Sequence, residues 1–468
     1  MTRNPIVIIG GGITGLAAAH ELVTRGGRDL LVVEAEARLG GKIVTEQVDG
    51  FLVEGGPDSF IAFKPAALQL CRELGMADRL QGTRPDRHGS FVRRGGRLAP
   101  LPAGLTGLVP SRLLPLLTTP LLSLPGKLRA GLELLVPRRL DGRDESVADF
   151  TTRRFGREVY DWLVEPLLAG IHAGDGAALS VAASYPNLLE MERLHGGMLR
   201  MMLRGSPRSD RESERGSPFM TPRGGTAELV KAIARTLPHG SVRTGATARA
   251  VERAGSGYRV QLGEGSAVDA RAVIVTTPAH AARRLLAGLD RELADRLGGI
   301  PFVSTATISL GYRAGDVPHS LDGYGYLSPR VEGGPIVACT WASSKFAGRA
   351  PDGHALLRVF VGRAGLNEIV SADDATLIAL ARTELRQTLG IEAAPILTRV
   401  YRWPDGIPQY NVGHLERVAA IEALVDRHAG LFVAGASYRG AGLPDCIGAG
   451  RRAGRAAGKF TSGPRGQT

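Results

Sequence analysis

The sequence predicts an α/β protein: a Rossmann-type dinucleotide-binding domain carrying an inserted mixed-sheet domain and a helical domain. Three stretches predict it. The apolar run Ile6–Ile9 leads at once into Gly10-Gly11-Gly12-Ile13-Thr14-Gly15. A second apolar strand, Leu30–Val33, ends in Glu34. A third, Leu431–Val433, is followed by Ala434, Gly435 and Ala436 near the far end of the chain. Short, wholly apolar strands suit a parallel sheet covered on both faces.

Gly10, Gly12 and Gly15 have the G-x-G-x-x-G spacing of a dinucleotide turn. Gly10 permits the tight turn, Gly12 lets a pyrophosphate approach the backbone, and Gly15 lets the following helix lie close to the strand. Gly11, Ile13 and Thr14 complete the loop. The spacing predicts a helix over 16–25, whose amino end offers free N–H groups to phosphate. Glu34, with Ala35 beside it, stands where a carboxylate can accept hydrogen bonds from ribose hydroxyls.

At 468 residues the chain exceeds one ordinary domain. No leader precedes the first strand, which predicts a cytoplasmic protein. A net charge of +12 raises nucleic acid as a partner. The cations are scattered, with no basic stripe or interleaved aromatics, and that partner is set aside. Only six of the 58 cations are lysine, so Lys42 and Lys64, beside glycine-rich motifs, stand out. Cys71, Cys339 and Cys446 are far apart and form no C-x-x-C, which excludes a zinc ribbon or dithiol centre. No metal site is predicted.

Further along, residues 65–74 read as a helix stopped by Gly75, and 91–98 as a hairpin turning at Gly95-Gly96. The leucine- and proline-rich stretch 98–136 is too interrupted for a spanning helix. It reads as short packed helices, with a peripheral membrane contact as the alternative. Ser146 and Asp149 are plausible caps of a helical region over 146–168, and 204–217 reads as a surface loop. Strands are expected at 242–243, 248–253, 258–262 and 272–278. A strand-rich region over 302–362 could wall a substrate cavity, and a helix follows over 373–389. The expected division is 1–60, 220–285 and 425–468 for the dinucleotide domain, 61–90 and 286–424 for the substrate domain, and 91–219 for the helical domain.

The run Glu34-Ala35-Glu36-Ala37-Arg38-Leu39-Gly40-Gly41-Lys42 resembles the E-x-x-x-R-x-G-G motif of the flavin-containing amine oxidase superfamily. The resemblance implies FAD, with Arg38, Gly41 and Lys42 on its pyrophosphate. Gly56-Pro57-Asp58-Ser59 resembles the segment beside the isoalloxazine ring. Residues 166–175, 402–414 and 442–447 extend the likeness to bacterial porphyrinogen oxidases of haem biosynthesis, nearly end to end.

That resemblance implies a six-electron oxidation of a porphyrinogen, with O2 as acceptor and H2O2 as product. It further implies that Ala248 meets adenine, that Trp403 lies against FAD, and that Gly435, Ala436, Leu443, Pro444, Asp445 and Ile447 line the flavin. Lys64 is implied to face substrate, which favours coproporphyrinogen III. Ser90 stands where protoporphyrinogen oxidases place an arginine, unless Arg87 takes that role. Asp58 either orients the flavin edge or caps a turn. Ile171 and Phe360 read as cavity walls or core, and His172 as a propionate contact or a packing residue. No catalytic acid or base stands out. A ferrochelatase follows as partner from pathway order. An amine oxidase, a carotenoid desaturase or a non-catalytic flavin-stabilised partner remain the alternatives.

Overall fold

A computed structural model describes residues 4–102, 105–106, 109–110, 113–139, 141–203 and 217–462. Of the loop read over 204–217, all but Ser217 lies outside the described residues.

Five parallel strands form one sheet in the order Val242–Arg243, Leu30–Val33, Ile6–Ile9, Ala272–Val275, Leu431–Val433. Both ends of the chain and its middle therefore meet in it. Alternation along Ile6–Ile9 sorts its two faces. Ile6 and Ile8 pack with Ala18, Leu22, Ala453 and Ala457 of two helices, Ile13–Thr24 and Leu443–Ser462. Val7 and Ile9 join Val251, Tyr258 and Val260 of an antiparallel sheet on the opposite side. The two helices on the first face touch backbone to backbone. A Cβ on Gly454 would lie 2.5 Å from the Ala18 carbonyl oxygen, and one on Gly450 would overlap that of Thr14.

A seven-stranded sheet follows the order Leu397–Pro408, Phe302–Arg313, His354–Val361, Ile336–Trp341, Gly325–Leu327, Phe91–Arg94, Arg97–Pro100. Helix Asp374–Leu389 supplies Leu377, Ala381 and Leu385 to one face. The hairpin Thr45–Val48 and Phe51–Glu54 supplies Phe51 and Val53 to the other. The helical region packs around Phe150, Tyr160, Leu163 and Leu168. There Ser146 caps helix Val147–Phe155 by accepting from the Asp149 N–H at 3.0 Å. No described helix is long and apolar enough to cross a membrane.

The fold departs from the sequence-based expectations in several places. The first helix begins at Ile13 rather than at 16, because Gly12 is extended and its carbonyl already accepts from the Leu16 N–H. The hairpin Phe91–Pro100, placed with the helical domain, pairs in parallel with Gly325–Leu327 of the large sheet. The expected division puts residues 65–73 and 414–424 in the substrate domain, and the structure forms helices Pro65–Glu73 and His414–Val425 there. Leu70 and Cys71 of the first pack with Ile13 and Leu16, and Val418 and Ile421 of the second pack with Val7 and Val273. Both helices belong with the dinucleotide core. The strand Leu397–Pro408 was not expected, since Pro404, Gly406 and Pro408 are poor strand formers. It is an edge strand, where such residues are tolerated.

Candidate active site

The first glycine turn is closed by its own residues and by Thr276, whose hydroxyl donates to the Gly10 carbonyl at 3.0 Å. Gly10 adopts φ +109°, a conformation open to glycine. A Cβ on Gly15 would overlap the Gly10 carbonyl oxygen, whereas one on Gly12 would meet nothing within 4 Å. Open space therefore lies where a phosphate would approach. Glu34 is buried and accepts from the Gly11 N–H at 2.6 Å and the Glu36 N–H at 2.8 Å. Its carboxylate thus splints the turn, and each oxygen keeps a lone pair for a hydroxyl. The chain at Gly245 and Ala246 runs alongside just before Ala248, donating to the carbonyls of Glu36 and Glu34.

A second turn leans on the first, with the Gly40 N–H donating to the Gly11 carbonyl at 2.9 Å. The two cations expected on a pyrophosphate are aimed elsewhere. Arg38 donates to the carbonyls of Leu39, Gly41 and Ile43, and so closes its own turn. Lys42 donates to the Gly406 carbonyl on the distant edge strand. The charges sit beside the glycines, but their donors are engaged with backbone.

The segment Gly55–Ser59 is held from afar. The Gly55 carbonyl accepts from Trp403 Nε1 at 2.9 Å, Arg358 Nη2 at 3.2 Å and Thr307 Oγ1 at 3.3 Å. The Gly56 carbonyl accepts from Arg358 Nη2 at 2.6 Å. A Cβ on Gly55 would strike the Tyr401 ring at 2.7 Å, so the strands press directly on the segment. Asp58 neither caps a turn nor stands free. Lys345 Nζ lies 3.0 Å from its Oδ2, and Ser59 Oγ donates to its Oδ1 at 2.6 Å. Burial opposes its charge, yet Lys345 and Arg358 hold the carboxyl well below the usual range.

At the far rim, Lys64 precedes helix Pro65–Glu73 and makes a two-pronged ion pair with Asp445, at 2.8 and 2.7 Å. Both had been assigned to ligands; in the structure they bind each other. His172 ends helix Glu165–His172, where burial and then the Lys64 charge push its imidazole down to about 4. Its ring stands edge-on to Tyr185, and its carbonyl accepts from Gln409 Nε2 at 3.0 Å. Ile171 beside it is 53% exposed, which rules out a core role for it. Phe360 lies under the Arg358 guanidinium, 4.7 Å from ring centroid to Cζ. Gly435 and Ala436 follow Leu431–Val433. The Ala436 carbonyl accepts from the Tyr410 hydroxyl, and Ile447 of the helix opened by Leu443 and Pro444 packs with Ile13.

Sequence reasoning missed Arg358, Lys345, Thr307 and Tyr401. Two carried a signal. Arg358 is a lone charge in the apolar strand His354–Val361, and Lys345 is another of the six lysines.

The flavin containing amine oxidoreductase family matches residues 13–457, which span nearly all the elements described. The chain belongs to that family. It is 36% identical over 460 residues to the coproporphyrinogen III oxidase of Bacillus subtilis, covering 96% of this chain and 97% of the relative. It is 37% identical to that of Propionibacterium freudenreichii, with 94% and 88% covered. The chloroplastic protoporphyrinogen oxidase of Oryza sativa is 32% identical, with 94% and 85% covered. A solved protein of Exiguobacterium sp. 255-15 superposes with a TM-score of 0.86 at 31% identity, covering 98% of this chain and 99% of that one. The expected α/β flavoprotein fold and flavin cofactor stand, and the open side of the first turn fits a pyrophosphate-bearing flavin.

Proposed function

We propose that this protein oxidises coproporphyrinogen III to coproporphyrin III with FAD, passing six electrons to three O2 and releasing three H2O2. The observation that carries this reading is the near end-to-end similarity to coproporphyrinogen III oxidases. FAD, when bound, supplies the two-electron acceptor for three successive oxidations. The chain's own residues hold and orient. Gly10–Gly15 and Gly41 offer backbone to the pyrophosphate, and Glu34 offers its remaining lone pairs to the ribose. Ala248 borders the adenine end. Gly56, Pro57, Asp58 and Ser59 form one wall of the flavin site, with Trp403 behind it. Gly435, Ala436, Leu443, Pro444 and Ile447 form the other.

On the substrate side, Ile171 and Phe360 offer apolar surface to the macrocycle. Lys64 offers a half-exposed ammonium to a propionate, which Asp445 must release. Protoporphyrinogen IX has two propionates rather than four and gains less from that cation. Arg87, its candidate reader, is already engaged by Asp322 and Asp86.

We extend the reading to a peripheral membrane contact. Leu114, Leu124, Leu128 and Leu135 are each at least 70% exposed along one run of the helical region. Flotation with phosphatidylglycerol vesicles tests it, and Leu124→Ser with Leu128→Ser should abolish binding. Product hand-over to a ferrochelatase fits the same pathway position.

The deciding experiment supplies both porphyrinogens aerobically and follows porphyrin fluorescence. Faster turnover of coproporphyrinogen III is expected. Faster turnover of protoporphyrinogen IX overturns the substrate assignment, and silence with both overturns the function.

A further inference from the structure

We propose that Arg358 is a positioning residue for the cofactor, and that together with Lys345 it leaves the wall at Gly55–Ser59 with an excess of buried positive charge that raises the flavin's reduction potential. The inference rests on the flavin reading above, and it does not depend on which porphyrinogen is the substrate.

The geometry has two parts. Arg358 is almost wholly buried, and its Nη2 spans two successive carbonyls, those of Gly55 and Gly56. The bridging nitrogen lies one bond farther from Cα than a lysine Nζ would, so an ammonium at this position falls short of the two carbonyls that Nη2 reaches. Phe360 lies beneath the guanidinium and fixes its plane. With both carbonyls turned toward Arg358, Trp403 and Thr307, the peptide faces of this segment cannot rotate. The cofactor would meet one fixed backbone.

The second part is charge. Two cations, Arg358 and Lys345, face one carboxylate, Asp58. The other charged groups around Arg358 are Glu54 and, through Glu54 and Asp58, Arg349. Glu54 accepts from the Thr226 N–H and from two hydroxyls, and with Asp58 it sets two carboxylates against the three cations Arg358, Lys345 and Arg349. The balance is positive. Positive charge fixed in a low-dielectric wall favours an adjacent group that gains electrons. Lys345 is itself enclosed, between the Phe219 and Phe346 rings at 5.2 and 5.0 Å, so solvent screens it poorly.

The test measures the flavin midpoint potential of the purified holoenzyme by dye-coupled reduction, without substrate, alongside FAD retention. Arg358→Met should lower the potential and weaken FAD retention at least tenfold. In turnover it should lower kcat about tenfold, with KM moving less than twofold. Arg358→Lys should restore the potential while leaving FAD retention weak, because it keeps the charge and loses the bridge. If Arg358→Met does not fold, Lys345→Met reads the charge alone and should also lower the potential. An unchanged potential in whichever of Arg358→Met and Lys345→Met folds overturns the inference. So does full FAD retention in Arg358→Lys. Wild-type protein that binds no FAD overturns the flavin reading itself, a result distinct from either.

Discussion

The turn at Gly10–Gly15 and the segment at Gly55–Ser59 are both proposed to hold the cofactor, and they are built in opposite ways. The first is made mostly by its neighbours: Gly10 turns, Gly15 packs on Gly10, and Glu34 just past the adjacent strand bonds Gly11, with the Thr276 hydroxyl donating to the Gly10 carbonyl from beyond strand Ala272–Val275. The second is made by residues some 250–350 positions away, namely Thr307, Arg358 and Trp403. A locally closed turn forms as soon as one strand pair forms. A segment gripped from three strands of another sheet forms only once that sheet is docked on it. The cofactor site is therefore half autonomous and half dependent on the packing of the two sheets.

Substitutions in the first turn should separate packing from binding most sharply. Gly15→Val drives a side chain into the Gly10 carbonyl, and no folded soluble protein is expected. Gly12→Val adds a side chain where no protein atom lies within 4 Å. It should fold with a native circular dichroism spectrum and come off the column colourless. A yellow Gly12→Val protein would remove the pyrophosphate from this turn.

The same contrast explains what could be read from the sequence. Gly10, Gly12, Gly15 and Glu34 announce themselves because most of their contacts are with one another, and spacing encodes such contacts. Lys64 and Asp445 were each legible as site residues, but their ion pair was not, since they are far apart in sequence and nothing in either motif refers to the other. Arg38 and Lys42 are read from the resemblance of their motif, which says nothing of their neighbours in space. Nearby carbonyls take up their donors instead. The strand Leu397–Pro408 was hidden by its prolines, which only its edge position accommodates.

The rim beside the two segments is sensitive to pH, and His172 shows why. Its imidazole sits at about 4 in the folded chain, below the ordinary 6.5. Between these values the unfolded chain binds a proton that the folded chain does not. Stability therefore falls as pH drops through 6.5 and finishes falling near 4, by up to about 3 kcal/mol. Burial lowers His20, His280, His319 and His414 in the same direction, so each adds to the loss of stability on acidification. His172→Phe should remove this residue's share. The thermal midpoint of the variant relative to wild type should rise on going from pH 7.5 to pH 4.5. A gap that does not change with pH would place His172 in a more solvated setting.

Trp403→Phe should have a smaller effect. It keeps most of the ring and removes one of three donors to the Gly55 carbonyl. Because Arg358 and Thr307 remain, the carbonyl is not orphaned, and the loss should be about 1 kcal/mol. A thermal midpoint lowered by only a few degrees, with FAD retained, is the expected result. Loss of FAD would show that the three donors act as one unit rather than as overlapping supports.

The smallest effect on stability should come from the rim, where Lys64 and Asp445 lie between the two halves. Their side chains are 45% and 21% exposed, and an ion pair that water reaches contributes less than about 1 kcal/mol. Lys64→Met should barely move the thermal midpoint. Its effect on substrate should be larger, because a charge-assisted contact to a propionate is worth about 1.5–3 kcal/mol, so KM for coproporphyrinogen III should rise tenfold or more. Asp445→Asn sharpens the point from the other side. It frees the ammonium without removing it, and KM should hold or fall. If instead both variants raise KM equally, the ion pair acts as a strut joining the helices at Pro65 and Leu443, and the propionate is read elsewhere.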